Sequence, residues 1–164
     1  MTIGNSVTSI GESAFKYCYK LIEVKNLSSL TINAGSEDNG YVGYYAKRVY
    51  KEGESCLSTD ENGYIIYSEG TDKFLVGYVG TETKLTLPNG IPQIYQYAFS
   101  DRRSLTSVTI PDSVTNIGNS AFDNCRGLTS INIPDSVTSI GDWAFNNCSS
   151  LTSITIPDGV TTID

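Results

Sequence analysis

The sequence predicts an α/β solenoid that is mostly β. It is expected to be a right-handed coil of stacked rungs with a parallel sheet on one face, short helical or 3₁₀ turns on the other, and an irregular middle holding a β-hairpin. Three observations carry this expectation. A phrase beginning at Leu105 returns at Leu128 and again at Leu151, a constant 23-residue period. Every copy places apolar residues at strand spacing and closes them with a proline. The stretch from Leu21 to Leu105 is not a whole number of these periods, so the middle departs from plain rungs.

The rung is legible slot by slot. Leu128, Ile131 and Ile133 give a short strand whose last two apolar residues alternate inward. Pro134 lacks an N–H and ends the ladder. Val137 and Ile140 begin a return leg, and Gly141 is read as the tight turn that closes it. Ala144 and Phe145 fit a short turn or 3₁₀ segment that drives a ring under the next rung. One such unit cannot bury these side chains alone, whereas stacked units share a continuous core. A worn copy precedes Leu105, with Pro88, Ala98 and Phe99 in the slots of Pro111, Ala121 and Phe122. The amino terminus repeats the phrase from Asn5 to Cys18.

Residues 1–24 and 82–164 are thus regular 23-residue rungs, and 25–81 are enlarged irregular ones, within a single domain spanning 1–164. In the middle, Val24, Leu27, Leu30 and Ile32 supply strand positions, and Ser36 to Gly40 form a turn. Val42, Tyr45, Ala46 and Val49 share one face of an expected short helix. Tyr64–Ser68 and Phe74–Val79 read as hairpin strands about a glycine-containing loop. Lys84 to Pro88 then rejoins the repeat. Asp60 to Gly63 reads as a turn, since it lacks the spaced ligands of a calcium loop. Ile163 takes the slot of Ile140 and Met1 that of Val108, in mid-rung, so the sequence is expected to be a fragment of a longer protein.

Apolar residues make up 39% and charged residues 18%, a globular balance, and no run approaches the ~18 apolar residues that span a bilayer. The net charge is −7, and from Leu105 onward Arg126 is the only basic side chain, which argues against nucleic acid as a partner. Lys47-Arg48 and Arg102-Arg103 read as solvated faces. The sequence contains no histidine, so a Ser-His-Asp or Cys-His nucleophile system cannot be built from it. No enzyme activity, cofactor or metal is expected.

Cys18, Cys125 and Cys148 share one slot, which Arg102 fills in the worn rung. A small, weakly polar residue wanted by every rung is a packing solution, so a buried thiol ladder is expected rather than a disulfide. Asn26-Leu-Ser28 and Asn147-Cys-Ser149 match the short glycosylation triplet.

The phrases Leu105-Thr-Ser-Val-Thr-Ile-Pro-Asp-Ser-Val-Thr-Asn-Ile-Gly118 and Ser120-Ala-Phe-Asp-Asn-Cys125 resemble the BspA-like (Treponema-type) leucine-rich repeats of bacterial surface proteins. The resemblance covers residues 1–24 and 82–164. It implies an extracellular or cell-surface setting and attachment to host proteins or other cells, and it brings no catalytic residues with it.

A binding module is therefore the leading expectation, with proteins or host surface molecules as partners. The outward strand positions Ser107, Thr109, Ser130, Asn132, Ser153 and Thr155 form its candidate face. They are small, neutral and hydrogen-bonding, without an aromatic or arginine anchor, so strength would come from many rungs together. A spacer that holds another domain away from the cell is the alternative, favoured by the near-identity of the last rungs. Seven tyrosines fall between Tyr41 and Tyr78. They suit half-buried sheet packing, and Tyr41, Tyr44 and Tyr67 are also candidates for a glycan- or protein-binding surface.

Overall fold

The computed structural model describes residues 1–161; Ile163, with its slot matching Ile140, lies outside the described residues. The chain forms two compact units, Met1–Cys56 and Leu57–Asp164.

In the first unit three parallel strands pair in chain order: β1 (Thr2–Ile3), β2 (Glu23–Asn26) and β3 (Arg48–Tyr50). Thr2 faces Lys25, one regular repeat further on, and Val24 faces Val49, a repeat lengthened by two. The enlarged rung therefore absorbs its insertion without losing register. The expected helix over 41–50 is absent. Residues 38–45 are turns, with Asn39, Gly40 and Tyr41 all left-handed (φ 51°, 66° and 65°), and a run of left-handed residues cannot enter a right-handed helix. Val49 consequently joins β3, while Val42 and Ala46 reach the core from the turns alongside Ile3, Val24 and Ile32. Glu23 is buried but fully engaged. Arg48 lies 3.7 Å away, the amide of Cys56 donates to Oε1 at 2.8 Å, and the Ser55 hydroxyl donates to Oε2.

The second unit opens with a meander, β4 (Leu57–Thr59), β5 (Tyr64–Glu69) and β6 (Asp72–Tyr78), all antiparallel. The expected hairpin is present, with a tighter loop than its sequence suggests: only Gly70 and Thr71 connect the strands, and Gly70 takes φ 59°. From here the rungs build two parallel sheets rather than one. The first joins β7 (Lys84–Thr86), β9 (Ser107–Thr109) and β11 (Ser130–Asn132), each strand one repeat on from the last. The second joins the return legs β8 (Gln93–Ile94), β10 (Asn116–Ile117) and β12 (Ser139–Ile140). There Ile94, Ile117 and Ile140 point into the core while Gln93, Asn116 and Ser139 alternate outward. β6 pairs in parallel with β8, Leu75 opposite Ile94, so the hairpin enters the solenoid as the first member of the return-leg sheet.

The third side of each rung holds the alanine and phenylalanine. The repeat predicts helical or 3₁₀ turns there, and the described residues contain no helix. The chain instead makes successive reverse turns, Gly118–Ala121 and Phe122–Cys125, each closed by an N–H to carbonyl bond of 3.2 Å. Ser120 and Asn124, the third residue of each turn, are left-handed (φ 52° and 60°), which a helix cannot accommodate but a type II turn requires. The same slots are left-handed in the neighbouring rungs, at Tyr97 and Asp101 and at Trp143 and Asn147. This backbone aims alternate amides at the next rung: Ser120, Phe122 and Asn124 donate to the carbonyls of Asp142, Ala144 and Asn146 at 2.8, 2.8 and 2.9 Å. Gly141 has a reason other than the tight turn expected of it. A Cβ at that position would stand 2.7 Å from the amide nitrogen of Asn119, so the glycine lets two rungs approach.

The core of this unit lies between the three sides. Phe99, Phe122 and Phe145 stack with centroid spacings of 5.2 and 5.5 Å, both pairs within 4° of parallel. Phe122 is 0% exposed, whereas Phe145 is only partly buried, contrary to the uniform burial the repeat implies. Phe122 has a ring above and below it, and among the described residues no ring covers the far face of Phe145.

Truncating Phe122 to Ala is expected to cost about 3–5 kcal/mol, since neighbouring rungs cannot close the cavity. Phe145→Ala should cost clearly less, and Thr109→Ala, on the outer face, no more than about 0.5 kcal/mol. Denaturant unfolding of the three variants checks this order; a Thr109→Ala loss above that of Phe122→Ala would mean the inward and outward positions are reversed.

Candidate functional site

The outer face of β7–β9–β11 assembles four of the six positions proposed from sequence. Ser107 stands opposite Ser130 and Thr109 opposite Asn132, two rows running across the strands. Thr109, Ser130 and Asn132 are exposed and Ser107 is half-buried. Ser153 and Thr155 are exposed too, but no strand forms around them, so they do not extend the paired rows. The rows continue in the other direction, through Lys84 opposite Ser107 and Thr86 opposite Thr109. Sequence reading passed these two over, although both sit one repeat before positions it named.

A further row is already committed to the fold. The hydroxyls of Thr106 and Thr129 donate to the carbonyls of Thr83 and Thr106 at 2.9 and 3.0 Å, strengthening the ladder at its margin. The face is therefore an array of small, neutral, hydrogen-bonding groups on a rigid backbone. Its charge is concentrated at the β7 end.

There a cavity of about 490 Å³ opens among Glu61, Tyr64, Tyr78, Glu82, Lys84 and Thr86. Tyr64 donates its hydroxyl to the carbonyl of Thr86 at 2.7 Å. Burial first, then the neighbouring Tyr78, Asp60 and Glu82, pushes the Tyr64 phenol from 10.0 up to about 12. The Tyr78 hydroxyl donates to Glu82, which holds the phenol above and the carboxyl below their ordinary values. Arg102, in the slot where other rungs place cysteine, lays its guanidinium 4.8 Å from the Tyr78 ring centroid and donates to the carbonyls of Gly80 and Tyr78. The worn slot thus has a structural use: it ties the hairpin exit to the rung. Asp60 acts as a turn residue, its Oδ1 accepting from the amides of Asn62 and Tyr64 at 3.0 and 2.8 Å.

The aromatic candidates separate. Tyr67 is 0% exposed and stacks on Phe74 at 5.7 Å, so burial removes it from any surface. Tyr41 is half-buried and Tyr44 exposed, and they meet edge to face at 5.5 Å. Trp143 was missed altogether. It is 68% exposed in a left-handed turn position that Ser120 fills in the preceding rung. The signal was available: an aromatic ring replaces serine in an otherwise near-identical repeat.

Cys125 and Cys148 form the expected buried pair of thiols, donating at 3.2 Å to the carbonyls of Phe99 and Phe122. Burial is also the main force raising the Cys148 pKa. Cys18, in the same slot, is exposed and does not share that environment. Of the two glycosylation triplets, Asn26 is buried, its side chain bonded to Leu30 and Ser28.

Comparison with known proteins gives a consistent picture. The model of the BspA type leucine rich repeat region matches residues 1–36 and 78–164, in 6 copies. No curated protein matches. Among solved structures, a leucine-rich repeat protein of Treponema pallidum is 30% identical with a TM-score of 0.58, covering 64% of this chain and 52% of its own. One from Bacteroides capillosus is 27% identical with a TM-score of 0.61, covering 67% and 88%. A leucine rich cell surface protein of Faecalibacterium prausnitzii is 27% identical with a TM-score of 0.66, covering 99% and 48%. The chain spans about half the length of the Treponema and Faecalibacterium proteins.

Two measurements follow from these environments. Under native conditions Cys18 should alkylate quickly and Cys125 and Cys148 slowly, with mass spectrometry showing no 125–148 bridge; a bridge in most molecules would contradict the thiol ladder. Because the folded pKa of Tyr64 lies above its ordinary value, the stability its neutral phenol contributes is intact below pH 10 and is lost as pH rises through about 12. Ultraviolet titration of Tyr64→Phe against the parent chain should show the missing phenol to be one of the last to ionise, and ionisation near pH 10 would refute its buried setting.

Proposed function

The chain belongs to the BspA-type leucine-rich repeat family, and from that premise we propose that it is a non-enzymatic binding module of a bacterial cell-surface protein, docking partner proteins on host or neighbouring cells along the outer face of β7–β9–β11. The observation that carries this reading is the register of that face. Lys84, Ser107 and Ser130 form one row and Thr86, Thr109 and Asn132 another, repeated by the backbone itself. Such rows offer a partner evenly spaced donors and acceptors with no entropy left to lose in the strands. None of them is a large anchor, so each rung contributes little and affinity grows with the number of rungs engaged. The surface setting is supported by the resemblance to surface-type relatives. No helix among the described residues is long and apolar enough to cross a membrane.

A spacer role is the second reading, favoured by how closely the rung at Leu128 copies the rung at Leu105. The two readings part in a binding assay of the full chain against immobilised extracellular-matrix proteins and cultured epithelial cells. A Thr109→Arg/Ser130→Arg double variant places two long charged side chains on the rows while leaving the core untouched. It should bind at least about tenfold more weakly, a loss of ~1.4 kcal/mol. Undiminished binding by this variant would refute the face, and no binding by the parent chain would favour the spacer.

A further inference from the structure

The first unit carries a surface that neither the repeat nor its outer sheet face explains. Five tyrosines from two separate turns meet there in a chain of ring contacts. Tyr17 lies 6.1 Å from Tyr19, Tyr19 5.1 Å from Tyr45, Tyr45 4.8 Å from Tyr44, and Tyr44 5.5 Å from Tyr41. Three of these contacts are edge-to-face, so Tyr19, Tyr45, Tyr44 and Tyr41 hold one another and lose less side-chain freedom on binding. The cluster is not a core. Tyr17 is 70% exposed, Tyr44 is 38% exposed, and Tyr19, Tyr41 and Tyr45 are half-buried. Lys16 sits over both Tyr17 and Tyr41, 5.9 and 5.6 Å from their centroids, and the Tyr41 hydroxyl donates to Glu37 at 3.4 Å.

We propose that this tyrosine cluster binds the sugar rings of a neutral glycan. A pyranose has an apolar C–H face, which suits the electron-rich face of an aromatic ring, and a rim of hydroxyls that both donate and accept. The cluster supplies the counterpart of each: ring faces, phenolic hydroxyls, an ammonium donor at Lys16 and a carboxylate acceptor at Glu37. Neighbouring rings are steeply inclined to one another, so the cluster can meet a sugar with the face of one tyrosine and the edge or hydroxyl of the next. The unit has no net charge with which to attract an acidic ligand. The side-chain cations and carboxylates between Met1 and Cys56 balance, so the chain's net −7 falls wholly on Leu57–Asp164. A protein hot spot would set such tyrosines beside tryptophan or arginine anchors, whereas the ring contacts of this cluster are between tyrosines, with Lys16 as the cation over them.

This site lies in the first unit and shares no residue with the β7–β9–β11 face, so either reading can fail without the other. The test is saturation-transfer NMR and titration of the full chain with cellohexaose and chitohexaose, beside trigalacturonate and a heparin hexasaccharide. At least one neutral oligosaccharide should show transfer concentrated on its ring C–H protons. Tyr17→Ala/Tyr44→Ala should weaken its binding at least about tenfold, while Thr109→Arg/Ser130→Arg leaves it unchanged. Tyr17→Ala alone, removing a ring that is mostly in solvent, should also weaken it and keeps the test readable if the double variant misfolds. Absence of transfer from both neutral sugars, transfer from the acidic sugars only, or binding that survives both tyrosine variants would overturn the proposal.

Discussion

The regular rungs of the second unit depend on being hydrogen-bonded to their neighbours on three sides at once. Two sides are short parallel strands, of three residues in β9 and two in β10, too brief to be stable alone. The third is made of reverse turns whose amides point along the stack, Phe99 to Ala121 and Phe122 to Ala144, both at 2.8 Å. Left-handed residues at Ser120 and Asn124 make this possible, because they turn the intervening N–H groups outward, where a helix would have used them internally. The phenylalanine stack and the thiols are consequences. Once the backbones are fixed a rung apart, rings of identical slots must lie face to face, and Cys125 and Cys148 each find the same carbonyl position in the rung before their own.

The same constraint explains where the repeat is free to vary. A residue that points along the stack is held by its neighbours, whereas one that points away is not. Trp143 is 68% exposed in a slot whose serine, Ser120, is buried one rung earlier, and Arg102 can replace cysteine because its rung adjoins the hairpin exit, giving the guanidinium carbonyls and a tyrosine face to occupy. The hairpin is accommodated by lending β6 to the return-leg sheet, which leaves β7 to start the other one. The charged cavity at the β7 end of the candidate face is the product of that junction.

Much of this was legible in sequence, because a 23-residue period fixes inward and outward positions together: the strands of β7, β9 and β11, the buried Phe122, the hairpin, and the outer rows at Ser107 and Thr109. What was not legible depended on backbone sign. The spacing of Val42, Tyr45, Ala46 and Val49 is helical, yet left-handed Asn39, Gly40 and Tyr41 precede it and Val49 pairs with Val24 instead. The Ala-Phe segment likewise has helix-like composition, and only φ at Ser120 and Asn124 separates turns from a 3₁₀ segment. Return legs of two paired residues are too short for any periodicity to reveal as strands. Tyr67 shows the limit for site residues. A tyrosine count locates aromatic density, but burial against Phe74 decides which rings a ligand can touch.

Amide hydrogen exchange followed residue by residue in the NMR spectrum tests the three-sided ladder most directly. Ser120, Phe122 and Asn124 should exchange as slowly as Val108 and Thr109 of the central strand β9, despite lying in segments that a sequence reader would class as turns. Exchange of these three amides at the rate of an exposed loop, with the strand amides still protected, would contradict the three-sided ladder.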